Sequence, residues 1–174
     1  MIKKISLTIV GLIAGFLIYV ATKPNSFKVE RSIVINADST KILAQLNDFQ
    51  EWYKWSPWDK LDPNLKRKYS GEKVGKGTIY EWEGNSDVGK GRMEIIESTP
   101  TEVKIKLDFI EPMEANNLTV FTLVPENNGT KLVWTMTGPS PFSSKLFDTF
   151  MNFDKMIGKD FENGLQNLKA TAEK

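Results

Sequence analysis

The chain has no cysteine and no histidine among its 174 residues. These absences exclude disulfides, thiol nucleophiles, imidazole bases and the usual zinc ligands. Charge of one sign is not in excess either, since 23 Lys and Arg face 22 Asp and Glu. No basic run or basic stripe is present, so we predict no nucleic-acid partner. Acid–base chemistry would have to use carboxylates, tyrosines or lysines.

Motifs for catalysis are also missing. The sequence has no Ser-His-Asp set, no phosphate-binding loop and no carboxylates at metal-ligand spacing, so we predict no catalytic residue, no metal ligand and no cofactor. Asp154 and Asp160 flank the apolar face of the last predicted helix, where we expect structural roles. Charged residues are rarely buried without a partner. We therefore expect four further carboxylates to lie on the hydrated face of the predicted strands: Glu81, Glu83, Glu94 and Asp108.

The longest apolar run lies near the N-terminus, from Ile5 to Ala21, with no charged residue inside it. As a helix it would span about 25 Å, near the lower limit for crossing a bilayer. We therefore predict a membrane anchor and linker over residues 1–26. A cleaved signal peptide is the alternative, although Tyr19 and Ala21 do not supply the two small residues that cleavage prefers.

The flanks of this run predict its orientation and its partners. Lys3, Lys4 and the terminal amine precede the run, whereas Lys23, Lys28 and Arg31 follow it, so the positive-inside rule only weakly favours a single-pass topology in which the following domain lies outside the cytoplasm. Gly11 and Gly15 form a GxxxG pair, which is either a set of small residues in an anchor or the contact of a weak homodimer.

Residues 27–174 have the pattern of one domain. Phe27 to Ile35 alternates between polar and apolar residues as a half-buried strand does, and strands separated by turns continue from about Lys66 to Thr137. Asn128-Gly129 predicts a tight hairpin. The last helix begins at Ser143 or Ser144, and its apolar residues recur at steps of three or four: Leu146, Phe150, Phe153, Ile157, Phe161, Leu165, Leu168 and Ala172. Gly158 and Gly164 within it indicate close packing or an intended vacancy.

Local motifs narrow the fold. They are mostly aromatic, glycine and turn positions: Trp55-Ser56-Pro57-Trp58, Tyr69-Ser70-Gly71, Gly75-Lys76-Gly77, Tyr80-Glu81-Trp82, Gly84-Asn85, Trp134-Thr135-Met136 and Asp154 to Glu162. With the element order, they resemble the START-like, helix-grip superfamily called SRPBCC, in its polyketide cyclase/dehydrase and lipid transport branch. The resemblance implies an α+β fold, in which a curved antiparallel sheet of six to seven strands surrounds a long C-terminal helix.

The resemblance also implies a cavity between sheet and helix that holds a hydrophobic ligand in some members of the superfamily. By strand parity and helix periodicity, we predict that the ligand-binding residues are Trp52, Trp55, Trp58, Tyr80, Trp82, Met93, Ile95, Leu107, Phe109, Trp134, Met136, Phe150, Phe153, Ile157 and Phe161. The same residues would also suit a dry core without a cavity. The tryptophans at 52, 55 and 58 would either close the cavity or fasten to the sheet the two short helices that we expect after the first strand.

Three functions fit this sequence. The first is non-catalytic binding or transport of a lipid or other hydrophobic small molecule at a membrane. The second is a polyketide cyclase-like enzyme that uses an Asp or Tyr in the pocket, which a buried carboxylate with a raised pKa would support. The third is a protein-interaction module that uses exposed tryptophans.

Overall fold

The element order agrees with the predicted one. A computed structural model describes residues 2–174, with side chains from residue 6 onward. The α-helices are α1 (Ile2–Thr22), α2 (Ser39–Asn47), α3 (Phe142–Met151) and α4 (Phe153–Ala172), and 3₁₀ helices cover Phe49–Lys54 and Trp58–Lys60. The strands are β1 (Ser26–Ile35), β2 (Lys66–Gly71), β3 (Thr78–Glu83), β4 (Lys90–Ser98), β5 (Glu102–Glu111), β6 (Ala115–Glu126) and β7 (Gly129–Pro139).

The strands form one seven-stranded antiparallel sheet in the order β1-β7-β6-β5-β4-β3-β2. Strands β2 to β7 each pair with the next strand along the chain and so form a meander, and β1 pairs with β7 so that Phe27 lies opposite Gly138. The helices α2 and α4 and the first 3₁₀ helix pack against one face of this sheet. The α+β helix-grip architecture is therefore confirmed.

The β6–β7 turn lies one residue earlier than predicted. Glu126 pairs with Gly129, which leaves Asn127 and Asn128 as the turn residues, and Asn127 has a φ of 45°. Gly129 is instead the first residue of β7, where a Cβ atom would collide with the carbonyl oxygen of Ile35. A glycine at this position therefore allows two backbones to approach closely, and it is not required for a positive φ.

The C-terminal helix is broken, whereas the sequence predicted a continuous one. Asn152 adopts the left-handed conformation (φ 49°, ψ 83°) between α3 and α4. Asp148 Oδ1 accepts a hydrogen bond of 2.8 Å from Phe153 N, and Asn152 Oδ1 accepts one of 3.0 Å from Lys155 N. Because these caps satisfy the first amides of α4, the chain changes direction here without leaving those donors unpaired.

The predicted anchor is helical, and the exposed apolar side chains of α1 include Leu7, Leu12 and Ile18. Its last turns touch α3, where Val20 is buried and the ring centroids of Phe16 and Phe150 are 5.8 Å apart. Within residues 2–174, no helix combines the length and hydrophobicity that a bilayer crossing requires. The structure therefore has the helix but does not support the predicted membrane span. The side chains of residues 1–5, and with them the charges of Lys3 and Lys4, lie outside the described residues.

Candidate functional site

The centre of the predicted cavity is filled by aromatic rings. Trp134 of β7 stacks on Phe161 of α4 with centroids 4.0 Å apart and planes 9° apart. Trp55, which is fully buried, meets Trp134 edge-on at 5.8 Å. The prediction of a void between the sheet and the terminal helix is therefore wrong at this position, because large side chains from both layers interdigitate there.

Many predicted ligand-binding residues form this packed core. They are the buried members of the set: Trp52, Trp55, Tyr80, Met93, Ile95, Trp134, Met136 and Phe161. Trp52 also donates a hydrogen bond of 3.1 Å from Nε1 to the carbonyl oxygen of Leu46, which fastens the first 3₁₀ helix to α2. Trp52 and Trp55 are therefore not available to a protein partner, whereas Trp58 is partly exposed, so the interpretation as an interaction module stays a prediction with only one of its three tryptophans at the surface.

The remaining predicted residues, except Phe150, stay partly exposed. We call this group the open end of the concave face: Trp58, Trp82, Leu107, Phe109, Phe153 and Ile157. Phe153 contacts Phe27 at 6.4 Å between ring centroids, which places the start of α4 at this end of the sheet. Phe150 does not join them. It lies on α3, is 71% exposed and contacts α1, because the break at Asn152 turns α3 away from the sheet.

Trp82 is held at the open end by three contacts. Its Nε1 donates a hydrogen bond of 3.0 Å to the carbonyl oxygen of Val88, and its ring meets Phe109 edge-on at 5.9 Å. The ring lies over Gly91, where any Cβ atom would collide with it. The indole is therefore fixed by β3, β4 and β5 together, with part of its surface left accessible.

Trp58 approaches from the helical layer. Its ring meets Trp134 and Phe161 edge-on, at 5.9 and 6.3 Å. Asp160 lies beside Trp58, and this neighbouring side chain acts to lower the pKa of Asp160. Burial is the larger effect and raises that pKa above its ordinary value. Asp160 is thus an acidic group with a raised pKa beside the open end, and its expected structural role stays a prediction.

Sequence reasoning missed Asn117. It lies on β6 opposite Leu107 of β5, with its side chain buried, and its Oδ1 has no hydrogen-bond partner among the described residues. A Cβ atom at Gly138 would collide with this oxygen, so that glycine makes room for the amide. The signal was available, because Asn117 shares its strand parity with the buried Thr119 and Phe121. A buried unpaired acceptor is costly, and it marks a place where a ligand donor would be stabilised.

The strand carboxylates lie on the opposite face, as predicted, and form ion pairs there. Glu81 pairs with Lys68 at 2.8 Å and Asp108 with Lys106 at 2.9 Å. Hydrogen bonds from Lys68 and Lys66 lower the pKa of Glu81 and Glu83 respectively. In the described part of the chain, no three acidic side chains come together as a metal ion requires. The ionisable groups of this face are thus used in surface ion pairs.

Tyr80 is the ionisable residue closest to the aromatic core. Its ring stacks on Tyr69 at 5.2 Å and contacts Trp82 at 5.8 Å. Burial, with a smaller contribution from the charge of Asp59, raises the pKa of the phenol above its ordinary value. Tyr80 therefore stays neutral and can act as a hydrogen-bond donor but not as a base at neutral pH.

Two surface cavities lie outside the aromatic core. One of about 260 Å³ lies where the end of α1, β1, α3 and the start of α4 meet, and one of about 190 Å³ lies between the first 3₁₀ helix and the edge strand β2. The second has a mainly polar lining that includes Asp48, Gln50 and Lys73. Neither contains Leu107 or Trp134, which the sequence placed on the wall of the ligand cavity.

Residues 26–173 match the model of a family described as polyketide cyclase / dehydrase and lipid transport. The chain belongs to this family. The match extends over the whole sheet and the C-terminal helices, so membership in the polyketide cyclase/dehydrase and lipid transport family rests on the complete domain. A comparison with curated proteins finds no match.

Solved structures with this family's fold resemble the chain at low sequence identity. Protein CV1439 from Chromobacterium violaceum is 18% identical with a TM-score of 0.60, covering 87% of this chain and 99% of its own. The Aha1 dimer from Colwellia psychrerythraea is 18% identical with a TM-score of 0.60, covering 84% and 96%. The di-domain ARO/CYC StfQ from the steffimycin biosynthetic pathway is 12% identical with a TM-score of 0.60, covering 85% and 51%. These likenesses establish the shared fold.

Proposed function

We propose that the protein binds a hydrophobic small molecule at the open end of the concave face and does not transform it. The observation that carries the proposal is the combination there of partly exposed apolar side chains with the unpaired Oδ1 of Asn117. Ligand sites are mainly apolar, with a few polar groups that fix orientation. Membership in a family that includes lipid transport supports the same conclusion.

The geometry favours a ligand with an apolar body and one hydrogen-bond donor. Trp58, Trp82 and Leu107 offer apolar surface, and aromatic side chains contribute strongly to such contacts. A hydroxyl on the ligand would satisfy Asn117, whereas an ether in the same position would not. The aromatic core behind the site limits its depth, so the ligand would lie along the open end rather than inside the domain.

Binding of 1-naphthol to the ¹⁵N-labelled full chain in neutral maltoside micelles tests this proposal. We expect saturable shifts of the indole N–H signals of Trp58 and Trp82, and no shift for the buried Trp55. We expect 1-methoxynaphthalene to bind more weakly, by about tenfold, because it lacks the donor for Asn117.

Matched variants on neighbouring strands locate the site. Leu107 and Leu118 lie on opposite faces of the sheet, with Leu118 paired to Lys106. Leu107→Trp should weaken naphthol binding by about tenfold because it fills the open end, and Leu118→Trp should leave binding unchanged. Equal binding by both variants, or shifts shared by all indole signals, would show that the probe binds elsewhere.

A second candidate function is catalysis by a carboxylic acid at the same site. It is favoured by Asp160, which lies beside Trp58 and whose pKa is raised by burial. Mass spectrometry of polyketide-like aromatic precursors incubated with the full chain would detect the product of such a reaction. Turnover that Asp160→Asn abolishes would establish the enzyme, and unchanged precursors would support binding alone.

The proposal includes attachment of the protein to a membrane through α1. Two features support it: the uncharged apolar run of residues 5–21, and the exposure of most of its described apolar side chains, Phe16 and Val20 excepted. Phe150 of α3 is exposed beside α1 and would extend the apolar surface that a lipid phase would cover. The charge pattern at the N-terminus favours a location of the domain outside the cytoplasm. A weak homodimer through Gly11 and Gly15 remains a prediction.

A further inference from the structure

A buried lysine lies at the junction between α1 and the family domain. Lys145 of α3 is 6% exposed. Its Nζ donates hydrogen bonds to Asn25 Oδ1 at 2.7 Å and to the carbonyl oxygen of Ala21 at 3.4 Å. An ammonium group has three donors, so one remains for another acceptor. Among the described residues, no carboxylate forms an ion pair with Lys145.

This lysine lines the larger surface cavity, of about 260 Å³, which we call the lysine cavity. The charged residues of its wall are Lys23, Lys28, Lys145, Asp148 and Asp154. The acidic groups in the wall already have cationic partners. Asp148 pairs with Lys23 at 3.5 Å, and Asp154 pairs with Arg31 at 3.0 Å. The positive charge of Lys145 is therefore the one in the wall that is buried without a matching carboxylate.

We infer that the lysine cavity is a second binding site, which holds the carboxylate or phosphate head group of a single-chain anionic amphiphile. A buried ammonium without a counter-ion is strongly stabilised by an anion that reaches it. Phe27, Val29 and Phe153 line the same cavity and offer apolar surface to the first carbons of the chain. The volume is below the range of about 300–1,000 Å³ typical for drug-sized ligands, which fits a head group and a short part of its chain.

The position of the cavity agrees with this ligand class. It lies where α1 meets β1 and α3, next to the exposed apolar side chains of α1 and to Phe150. The remainder of an alkyl chain leaving the cavity would have apolar surface to follow. The cavity shares Phe153 with the open end but differs from it in charge, because Lys23 and Lys145 line the cavity whereas Trp82 and Leu107 do not.

Native mass spectrometry of the full chain released from neutral maltoside micelles tests this inference. The probes are dodecanoate, dodecyl phosphate, dodecanol and inorganic phosphate. We expect both anionic amphiphiles to bind at least about tenfold more tightly than dodecanol and than inorganic phosphate. Equal binding of dodecanol would overturn the role of charge, and equal binding of inorganic phosphate would overturn the role of the chain.

Variants assign the site to Lys145. Lys145→Met keeps the apolar stem and removes the charge, and we expect it to weaken dodecanoate binding by about tenfold or more. Lys155→Met is the matched control, because that side chain is exposed on the first turn of α4 and does not line the cavity. Loss of binding in both variants, or in neither, would overturn the assignment. Leu107→Trp should not change dodecanoate binding, so this inference and the proposed open-end site can fail separately.

A folding defect in Lys145→Met would be visible as a changed circular dichroism spectrum or thermal transition. Lys23→Met then gives an independent test, since it removes another lysine of the cavity and leaves Asp148 without its partner. We expect dodecanoate binding to weaken by at least about threefold because the local potential becomes less positive. Unchanged binding in a folded Lys23→Met variant would contradict the site.

Discussion

At the residue scale, Arg31 shows why α4 contains Gly158. Arg31 reaches from β1 across the helix, and its guanidinium group bonds Asp154 at 3.0 and 3.1 Å and Glu162 at 2.8 Å. These two acids lie one helical turn before and after Gly158, and a Cβ atom at Gly158 would collide with the guanidinium. Gly158 therefore provides room for a side chain that joins β1 to α4.

This contact predicts that the effect of Gly158→Ala depends on Arg31. In the native chain we expect the substitution to displace the guanidinium, so that the lost contacts offset or exceed the helix propensity gained. In an Arg31→Ala background the same substitution should stabilise the protein by about 0.5–1 kcal/mol, because alanine is the better helix former. Urea unfolding of the four proteins measures the cycle, and an equal effect of Gly158→Ala in both backgrounds would contradict the contact.

The same arginine predicts a pH dependence. Its hydrogen bond to Asp154 holds the pKa of that carboxyl below its ordinary value in the folded protein. The stabilisation is therefore present above the carboxyl's unfolded pKa and is lost as the pH falls through the folded value. We expect Arg31→Ala to cost about 1 kcal/mol at neutral pH, since solvent screens the exposed carboxylates, and less below about pH 4. Urea unfolding at pH 7 and pH 3 checks this, and a cost that does not fall on acidification would contradict it.

At the element scale, the break between α3 and α4 determines which aromatic residues face the sheet. Asn152 ends α3 with a positive φ, and Asn152 and Asp148 cap the next helix. If the helix continued through this point, Phe150 would keep the phase of Phe153 and Ile157, as the sequence predicted. The break instead leaves Phe150 beside Phe16.

A pair of substitutions at Asn152 tests this cause. Asn152→Ala should destabilise the domain by about 1–2 kcal/mol, because alanine disfavours the left-handed conformation and removes the cap to Lys155. Asn152→Gly should cost less than half as much, since glycine accepts the positive φ. Thermal unfolding of both variants provides the measurement. An equal loss of stability in the two variants would contradict the role of the left-handed conformation at Asn152.

At the scale of the whole molecule, the domain and α1 differ in where their apolar side chains lie. The domain has one buried apolar core, whereas α1 exposes residues such as Leu12 (69%) and Ile13 (54%). Exposed apolar surface of this extent on a helix is typical of contact with lipid or another apolar phase.

Vesicle flotation of the full chain tests the proposed attachment. We expect the native chain to float with phosphatidylcholine vesicles. The double variant that carries both Leu12→Glu and Ile13→Glu should remain at the bottom of the gradient, because two charges would enter the apolar phase. Val124→Glu is the matched control, since Val124 is also an exposed apolar residue (45%) but lies on β6. Flotation of the Leu12 and Ile13 variant would contradict attachment through α1.

Local pattern was sufficient for much of the fold and for part of the site. Alternation of apolar residues predicted β5 and the inward direction of Leu107 and Phe109, since side chains alternate across a strand. The helical spacing predicted that Phe161 faces the sheet. The same rules could not predict whether a residue on the inner face meets another side chain or empty space, because that depends on how the layers pack.

Gly164 illustrates that limit. From sequence it indicated either close packing or an intended vacancy, and in the structure a Cβ atom there would lie 2.9 Å from Trp134 Cζ3 and 3.2 Å from Pro57 Cδ. The glycine thus serves close packing, in the same region where the sequence predicted a cavity. Asn117 is the converse case, a polar residue on the inner face whose unpaired state only its neighbours reveal.

The sequence by itself determined the succession of strands, the inner and outer faces, the apolar N-terminal helix and the absence of histidine and cysteine chemistry, because periodicity and composition act locally. Only the tertiary structure decided that the aromatic core is filled, that the terminal helix breaks at Asn152, and that Lys145 is buried without a carboxylate partner. Each of these depends on side chains that are distant in sequence and meet only when the layers pack.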